Sequence, residues 1–523
     1  MTPMPDFETY YRHGISCREA GDYVSAVIAF NQALKIKPDF FDAYYAAGLC
    51  FLETNNCDQA NTCFRAALRL HPHDPGVVAD LSLSLFAQGN LREALEGYRA
   101  ALALQAPLSC AIYSNYLLCL NYLPELSLRQ RFEEHKKFGE FYQGIAPQSL
   151  TLATLSDPGK KIKVGYISSN LCKHALARFL LPILKWTDRD KYAVYCYSNG
   201  AQKDPMTDKL RSLSENWRVV HGLSDDNVAD MIREDALDIL VDLSGHTGEN
   251  RLGVFAKKPA PVQASYLGYP ATTGLAAMDF YITDGTTDPP GQEALYTEKL
   301  VRLENCFCCY EPDEASLPVN DAPIQTNGFV TFGSLHTLSR LNDEVIDLWS
   351  AVLSDIPCSR LFMARNTLTG SALTRISARF EKNGIDPKRI EMRRKPPPQG
   401  YLAWYHEIDI SLDTFPWSGH TTACESLWMG VPVITLSGEN HAGRMVTSIL
   451  KAVGMDDWTT QSREEYRNLA VKAAGDITGL IDLRHTVRDR MRKSGLCDGE
   501  KFVKSLERAY ITMWKTYCPS AGI

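Results

Sequence analysis

The hydrophobic pattern of roughly the first hundred residues repeats with a period of 34. Small residues and an aromatic recur at fixed places in three copies: Gly14, Ala26, Phe30, Ala33 and Pro38; then Gly48, Ala60, Phe64, Ala67 and Pro72; then Ser82, Ala94, Tyr98, Ala101 and Ala106. Small residues let paired helices approach closely, an aromatic ring fills the space between them, and Pro ends the second helix. The period therefore predicts three stacked helix pairs.

This pattern resembles the tetratricopeptide repeat. The third copy lacks the Gly and the Pro, as a terminal repeat often does. Two roles stay open for the array, because three repeats can form a concave peptide-binding surface but are also about the minimum that buries a core. Residues 109–143 continue as helical pairs, and we expect them to dock the array onto the following domain.

After residue 160 the pattern changes to short β-rich runs that alternate with helical ones. The first series of predicted strands comprises residues 163–168, 192–198, 217–220, 237–243, 262–266 and 280–283. The second comprises residues 329–332, 360–364, 390–392, 408–412 and 433–436. Such alternation predicts mostly parallel sheets covered on both faces, in two Rossmann-like halves. Ligands of such sheets bind beyond the carboxyl ends of the strands.

The predicted domains are a repeat domain with docking helices (residues 7–143), a first Rossmann-like lobe (161–315) and a second lobe with closing helices (327–517). A linker rich in Pro, Asp and Asn separates the two lobes at residues 311–326. The final helices, around residues 502–514, are long enough to cross back onto the first lobe.

Composition excludes several classes of protein. A net charge of −7 argues against general nucleic-acid binding, and no segment approaches the roughly 18 apolar residues of a membrane span. The amino terminus lacks a secretory signal, so we expect a cytoplasmic protein. Fifteen scattered cysteines predict reduced thiols. Cys306, Cys308 and Cys309 cluster in a strand-like run (residues 303–310) without a His at ligand spacing, so no metal site is predicted.

Residues 409–436 predict a strand, a turn, a helix and a second strand. His420, Thr421 and Thr422 open the helix behind Gly419. A helix start offers unpaired N–H groups and a positive dipole end, which suit a phosphate or diphosphate. The alternative is an ordinary Thr-capped helix with no ligand.

Four stretches stand in order behind the repeats: KVGYISSNLCKH at 163–174, DILVDLSGHTGENRLGVFAKKPAPVQASYLGYPATTG at 238–274, NGFVTFGSLHTLSRLND at 327–343 and DISLDTFPWSGHTTACESLWMGVPVITL at 409–436. With these stretches the chain resembles glycosyltransferase family 41, which comprises the O-linked N-acetylglucosamine transferases and the SPINDLY-type O-fucosyltransferases. The resemblance implies a tetratricopeptide solenoid followed by a GT-B fold. It also implies inverting, metal-independent transfer from a nucleotide sugar to Ser or Thr hydroxyls of proteins.

The resemblance also assigns the donor site. Breaking a sugar–diphosphate bond builds negative charge that cations and N–H dipoles must meet. Arg340 stands where the family places a diphosphate-contacting Lys, and Arg can fork to two oxygens. Glu425 matches a ribose-binding acid, and Tyr401 replaces a nucleobase-contacting His. The complete expected set of donor contacts is Ser244, Thr247, Gly268, Pro270, Arg340, Tyr401, His420, Thr421, Thr422 and Glu425.

The expected catalytic residues are His174, His246 and Arg340. His exchanges protons near neutral pH, so His174 and His246 are the acid/base candidates, although a lone His is more often structural. His174 matches an active-site His of the family. Family members can instead lose the acceptor proton to a donor phosphate oxygen, which leaves the base open.

The function predicted first is transfer of N-acetylglucosamine from UDP-GlcNAc. Residues 419–422 favour it, because the SPINDLY type carries Thr in place of His420, whereas residues 424–427 and 245–310 look at least as close to the GDP-fucose branch. A different class is a tetratricopeptide adaptor with a decayed catalytic half. The expected partners are a nucleotide-sugar substrate and protein or peptide acceptors held by the repeat groove, with no cofactor, metal, nucleic acid or membrane.

Overall fold

A computed structural model describes residues 6–104, 109–142, 160–313 and 316–517. The chain forms two compact units, each made of two separate segments. One unit combines the residues up to Leu123 with Thr331–Glu407, and the other combines Pro124–Val330 with the residues from Ile408 onward. These units cut across the three predicted domains, whose boundaries at residues 143 and 315 lie outside the described residues.

Helices fill the amino-terminal segment, and the first six form three pairs. They are α1 (Phe7–Glu19), α2 (Tyr23–Ile36), α3 (Phe41–Glu53), α4 (Cys57–Leu70), α5 (Pro75–Ala87), α6 (Leu91–Leu104) and α7 (Cys110–Leu120). Gly14 packs against Phe30 so tightly that an added Cβ would lie 2.5 Å from the ring, and Gly48 repeats this contact with Phe64. The repeat positions therefore do what the period predicts. Ala106 lies outside the described residues.

A helix and the first parallel sheet follow. The elements are α8 (Leu128–Glu140), β1 (Ile162–Ser168), α9 (Ala177–Trp186), β2 (Tyr192–Ser198), α10 (Pro205–Ser212), β3 (Asn216–Val219), α11 (Asp225–Asp235), β4 (Ile239–Asp242), α12 (Leu252–Ala256), β5 (Val262–Ser265), β6 (Phe280–Asp284), β7 (Lys299–Leu303) and α13 (Ile324–Asn327). The strand order is β3-β2-β1-β4-β5-β6-β7. The strand-like prediction for residues 303–310 is wrong, because the strand ends at Leu303. Glu304 and Asn305 are exposed, and residues 306–310 are buried without regular structure.

The next segment returns to the unit of the repeats. It contains β8 (Thr331–Ser334), a 3-10 turn (Leu338–Arg340), α14 (Asp343–Asp355), β9 (Arg360–Ala364), α15 (Gly370–Lys382), β10 (Ile390–Arg393) and a 3-10 turn (Tyr401–Glu407). Both β8 and β10 run parallel to β9. The carboxyl end of β8 leads directly into the turn that carries Arg340.

The last segment belongs to the unit of the first sheet. It contains β11 (Ile410–Leu412), α16 (Thr421–Trp428), β12 (Val433–Leu436), α17 (His441–Val453), β13 (Thr459–Thr460), α18 (Arg463–Gly475), α19 (Ile477–Arg492) and α20 (Gly499–Tyr517). Strands β11 and β13 pair in parallel with β12. Phe502, Leu506 and Met513 of α20 lie in the core of the first sheet, and the Tyr510 hydroxyl is 2.8 Å from that of Tyr166 on β1.

Candidate functional site

The loop after β4 is held by a buried carboxylate. Asp242, the last residue of β4, accepts hydrogen bonds from the backbone N–H groups of Ser244 (3.0 Å) and Gly245 (2.8 Å). Burial raises the pKa of Asp242 to about 6. Gly245 has a φ of 53°, and a Cβ there would overlap the side chain of Tyr269. Only glycine fits at position 245, where the loop packs directly against Tyr269.

Ser244 and Thr247 stand on this fixed loop. The Ser244 hydroxyl is buried and lies 3.1 Å from the hydroxyl of Ser168 at the end of β1. The Thr247 hydroxyl donates to the Ser244 carbonyl at 2.8 Å. Both predicted donor contacts are therefore already engaged within the protein, and they join the carboxyl ends of two neighbouring strands.

His246 is fully buried. Its Nε2 donates to the carbonyl of Thr273 at 2.8 Å, and its ring packs edge-on against Phe138 of α8, with the centroids 4.6 Å apart. Burial lowers the pKa of His246 well below the usual value, which keeps the ring neutral. Proton exchange at Nε2 would require this hydrogen bond to break. The geometry gives His246 a supporting place behind the loop.

His135 of α8 lies beside His246, with the ring centroids 5.4 Å apart. Its Nδ1 donates to the carbonyl of Arg131 within α8 at 2.6 Å, so Nε2 accepts the hydrogen bond from the Tyr269 hydroxyl, also 2.6 Å long. Burial lowers the pKa of His135 to about 4. No sequence signal marks this residue, because a His inside an amphipathic helix looks like any other polar position.

The loop that contains Gly268 and Pro270 packs closely on its surroundings. A Cβ on Gly268 would overlap the carbonyl oxygen of Leu243 at the end of β4. Pro270 is buried, and the Tyr269 carbonyl accepts a hydrogen bond of 2.7 Å from the Tyr281 hydroxyl. The close approach that Gly268 permits is thus to the protein backbone.

His174 follows β1 and precedes α9. Its Nδ1 accepts a hydrogen bond of 3.2 Å from the backbone N–H of Leu176. The side chain is exposed, yet the neighbouring protein displaces enough water to lower its pKa. A neutral ring with Nδ1 as acceptor carries its proton on Nε2. His174 therefore presents an N–H donor.

The start of α16 lies behind a loop that a buried carboxylate holds in place. Asp413 accepts from the N–H of Gly419 at 2.7 Å and from the Thr435 hydroxyl at 2.6 Å, which fixes the preceding loop. His420 is the N-cap residue, and its side chain makes no capping hydrogen bond to the helix. The His420 ring instead stacks on Phe179, with the centroids 4.1 Å apart. The amino-terminal end of α16, with its positive dipole end, therefore lies behind a loop of fixed shape.

Thr421, Thr422 and Glu425 complete this helix start. The two threonines are half-buried, and Glu425 is only 7 % exposed. All three lie on the same unit as His174 and the loop after β4. The remaining two predicted site residues, Arg340 and Tyr401, belong to the other unit.

Arg340 is half-buried and ends the 3-10 turn after β8. Tyr401 begins the 3-10 turn after β10, and its side chain is 44 % exposed. Each therefore follows the carboxyl end of a parallel strand, where α/β sheets bind ligands. Sequence reasoning missed the neighbour of Arg340, Tyr122, whose hydroxyl contacts the side chains of Ser339 and Arg340.

The described residues contain neither a metal-binding cluster nor a helix that could span a membrane. Among residues 6–104, 109–142, 160–313 and 316–517, no three His, Cys, Asp or Glu side chains are arranged to hold a metal ion. No helix within these ranges is long and apolar enough to span a bilayer. Cys306 and Cys308 are buried, with their sulfur atoms 3.8 Å apart.

Comparison with known proteins identifies the family. The model of glycosyl transferase family 41 matches residues 147–315 and 323–506, and a tetratricopeptide repeat model matches residues 11–75 and 45–109. The chain belongs to glycosyltransferase family 41. The family and fold predictions are thereby confirmed: helical tetratricopeptide repeats precede an α/β part with two parallel sheets of GT-B type.

Three similar proteins show how much of the chain aligns with known members of family 41. The "Probable UDP-N-acetylglucosamine--peptide N-acetylglucosaminyltransferase SPINDLY" of Solanum lycopersicum is 38 % identical over 77 % of this chain and 44 % of its own length. The SPINDLY protein of Arabidopsis thaliana is 39 % identical over 77 % and 45 %. The chain thus spans less than half the length of these relatives. A solved mutant of Thermobaculum terrenum O-GlcNAc transferase is 34 % identical, covers 99 % of this chain and 98 % of its own, and has a TM-score of 0.90.

Proposed function

We propose that the chain is an inverting protein O-glycosyltransferase that uses a nucleotide sugar and needs no metal. The observation that carries the proposal is the start of α16, where the N-cap side chain of His420 makes no capping hydrogen bond, behind a loop fixed by Asp413. Similar proteins support the proposal, since the curated relatives from Solanum lycopersicum and Caenorhabditis elegans are named UDP-N-acetylglucosamine–peptide N-acetylglucosaminyltransferases. The groove of the repeats would bind the protein acceptors.

The helix start would bind the donor diphosphate. Its N–H groups, the dipole of α16 and the hydroxyls of Thr421 and Thr422 all favour negative charge. Arg340 would add a full positive charge, forked to two oxygens. In a water-excluded site, one such donor typically contributes about 10²–10³-fold to the rate. Glu425 would accept hydrogen bonds from the ribose hydroxyls, and Tyr401 would stack on the base.

In the reaction, the acceptor hydroxyl oxygen attacks the anomeric carbon of the sugar while the bond from that carbon to the diphosphate breaks. The bonding electrons leave with the nucleoside diphosphate, and the hydroxyl proton passes to one of its oxygens. This route fits His174, which presents a donor at Nε2 because Nδ1 accepts from Leu176. His174 would then donate to the reacting oxygens, with its neutral ring maintained by the lowered pKa.

The other predicted residues of the first lobe would shape the sugar pocket. Ser244, Thr247 and Gly268 lie on loops fixed by contacts within the protein, so their backbone positions are set before the donor binds. His246 would support the loop through its bond to Thr273. This role replaces proton exchange as our proposal for His246.

UDP-GlcNAc is the first proposed donor, on the strength of His420 and the names of the relatives. GDP-fucose is the second. Its support is that the SPINDLY relatives are 36–39 % identical, against 30 % for the SEC protein of Arabidopsis thaliana and 23 % for the relative from Caenorhabditis elegans.

Calorimetric titration with UDP and GDP distinguishes the two donors. We expect UDP to bind at least about tenfold more tightly, which corresponds to roughly 1.4 kcal/mol. A preference for GDP would make GDP-fucose the donor. Incubation with UDP-GlcNAc and GDP-fucose in lysate, followed by mass spectrometry of modified Ser and Thr, tests the transfer itself. If the protein binds its partners but neither hydrolyses nor transfers any donor sugar, the alternative function as a tetratricopeptide adaptor is favoured.

A further inference from the structure

The turn between α5 and α6 in the third repeat touches the turn that carries Arg340. Both belong to the same compact unit. Gly89 has a φ of 81°, and a Cβ added to it would lie 2.5 Å from the carbonyl oxygen of Leu338 and 2.6 Å from Nη2 of Arg375. The repeat backbone therefore approaches the first residue of the 3-10 turn as closely as glycine permits.

Arg375 of α15 joins both turns through its guanidinium. Its Nη2 donates to the carbonyl of Gln88 at 3.2 Å, and its Nη1 donates to the carbonyl of Leu341 at 3.4 Å. Leu341 directly follows Arg340. The backbone is thus contacted on both sides of Arg340, by Gly89 at Leu338 and by Arg375 at Leu341.

The side chain of Gln88 anchors the repeat turn. It is 1 % exposed, and its Nε2 donates to the hydroxyl of Ser371 at 2.8 Å and to the carboxylate of Asp58 at 2.8 Å. Its Oε1 accepts from Nδ2 of Asn61 at 2.7 Å. The turn is therefore fixed to the second repeat and to the start of α15, and it cannot shift without breaking buried hydrogen bonds.

Tyr122 reaches the side chain of Arg340 from the residues after α7. Its ring packs edge-on against Phe86 of α5, with the centroids 5.0 Å apart. Burial raises the pKa of the Tyr122 hydroxyl, and the charge of Arg340 together with hydrogen bonds to Ser339 and Arg340 opposes that rise. The hydroxyl thus lies against the guanidinium itself.

The equivalent turns of the first two repeats show which property of the third turn is special. The turn positions equivalent to Gly89 are Gly21 and Asn55, with φ values of 77° and 56°. Asn55 shows that the left-handed conformation alone does not require glycine. A Cβ on Gly21 would meet nothing within 4 Å. Among these three turns, only the one at Gly89 must also leave room for a neighbouring backbone.

We propose that Gln88, Gly89, Tyr122 and Arg375 form a clamp that positions the Arg340 guanidinium for the donor diphosphate. The third repeat is then part of the support of the donor site, in addition to any contact with protein acceptors. This inference rests on the proposed function, in which Arg340 meets the diphosphate. These are positioning residues, because they act through Arg340 and not on the substrate.

The test compares Gly89→Ala and Arg375→Met with the matched control Gly21→Ala, which introduces the same backbone strain where nothing is near. Calorimetry with UDP, uridine, GDP and guanosine separates diphosphate from nucleoside binding. We expect both clamp variants to bind the tighter diphosphate about tenfold more weakly, since small misplacements of a binding group have effects of this size or larger. Nucleoside affinity should stay within about twofold in all three variants, by the same reasoning.

The same titrations in the Arg340→Ala background show whether the clamp acts through Arg340. We expect no further loss there, because substitutions that act through one group are not additive. Equal losses for nucleoside and diphosphate, losses that persist in the Arg340→Ala background, or wild-type diphosphate affinity in both clamp variants would overturn the clamp. If Gly89→Ala does not fold, Tyr122→Phe replaces it, with an expected loss of about threefold from one hydrogen bond.

The Arg340→Ala variant alone tests the proposed function separately. Unchanged diphosphate affinity in that variant would refute the contact between Arg340 and the donor, and the clamp would have nothing to position. A loss in Arg340→Ala without any loss in the clamp variants would leave the proposed function standing and refute only the clamp.

Discussion

The hydroxyl of Tyr269 donates a hydrogen bond of 2.6 Å to Nε2 of His135. This bond ties α8, the helix that follows the repeats, to the loop containing Gly268 and Pro270. Both partners are buried, so neither polar atom can turn to water. The sugar pocket that we propose is thus supported from behind by a helix outside the Rossmann-like lobe.

Replacing Tyr269 with Phe should destabilise the protein. The change leaves Nε2 of His135 buried without its donor, and such an atom costs about 1–3 kcal/mol. Urea unfolding at pH 7.5 measures the effect. The control is Tyr44→Phe on α3, at a half-buried tyrosine whose hydroxyl donates to no described residue. An equal stability for both variants would show that the bond has no net effect.

His135 should make the protein sensitive to acid. Its pKa is about 4 in the folded state against 6.5 ordinarily, so the unfolded chain binds this proton more tightly. Stability is therefore lost as the pH falls from 6.5 toward 4, by about 3 kcal/mol from this residue. Between pH 6.5 and 4, the His135→Gln variant should lose about 3 kcal/mol less stability than the wild type. Parallel pH profiles for the two proteins would contradict the assignment.

Asp242 should act in the opposite direction. Its folded pKa of about 6 exceeds the ordinary 3.8, so its contribution to stability is fully present below 3.8 and is lost as the pH rises through 6. Between pH 7 and 4, wild type should gain about 2 kcal/mol relative to Asp242→Asn. Urea unfolding across this range measures the difference. The prediction fails if the variant gains as much as wild type.

His174 should tolerate a replacement that keeps a donor. Gln can place an amide N–H near the position of Nε2, so His174→Gln should lose about tenfold in kcat, whereas His174→Leu should lose about 10²–10³-fold. Because its pKa is lowered from 6.5, activity in wild type should not fall between pH 8 and 6.5 through this group. Equal losses in both variants would favour a base at this position.

The sequence predicts local architecture well where one contact decides it. Gly14 and Gly48 recur because each faces an aromatic ring one helix away, and this repeats at a fixed period. The strand, turn and helix around Thr421 are likewise readable from a short stretch, because the turn is fixed by Asp413 six residues before Gly419.

Contacts between distant segments are not readable in this way. From the sequence alone, His246 cannot be distinguished from a reactive His. The structure shows it to be enclosed, because its ring packs against Phe138 and Nε2 donates to the carbonyl of Thr273. Gly89 looks like an ordinary turn residue, although it faces the backbone of Leu338 nearly 250 residues later. Residues 306–310 have the apolar composition of a strand because they are buried, although they pair with no strand of the sheet.

The central proposal is that Arg340 contacts the donor diphosphate. Calorimetry of Arg340→Ala with the preferred nucleoside diphosphate tests it most directly, with Arg12→Ala as a control on the exposed surface of α1. We predict a loss of at least about tenfold in affinity for the diphosphate, unchanged affinity for the nucleoside and an unchanged unfolding midpoint. Wild-type affinity for the diphosphate in Arg340→Ala would contradict the account.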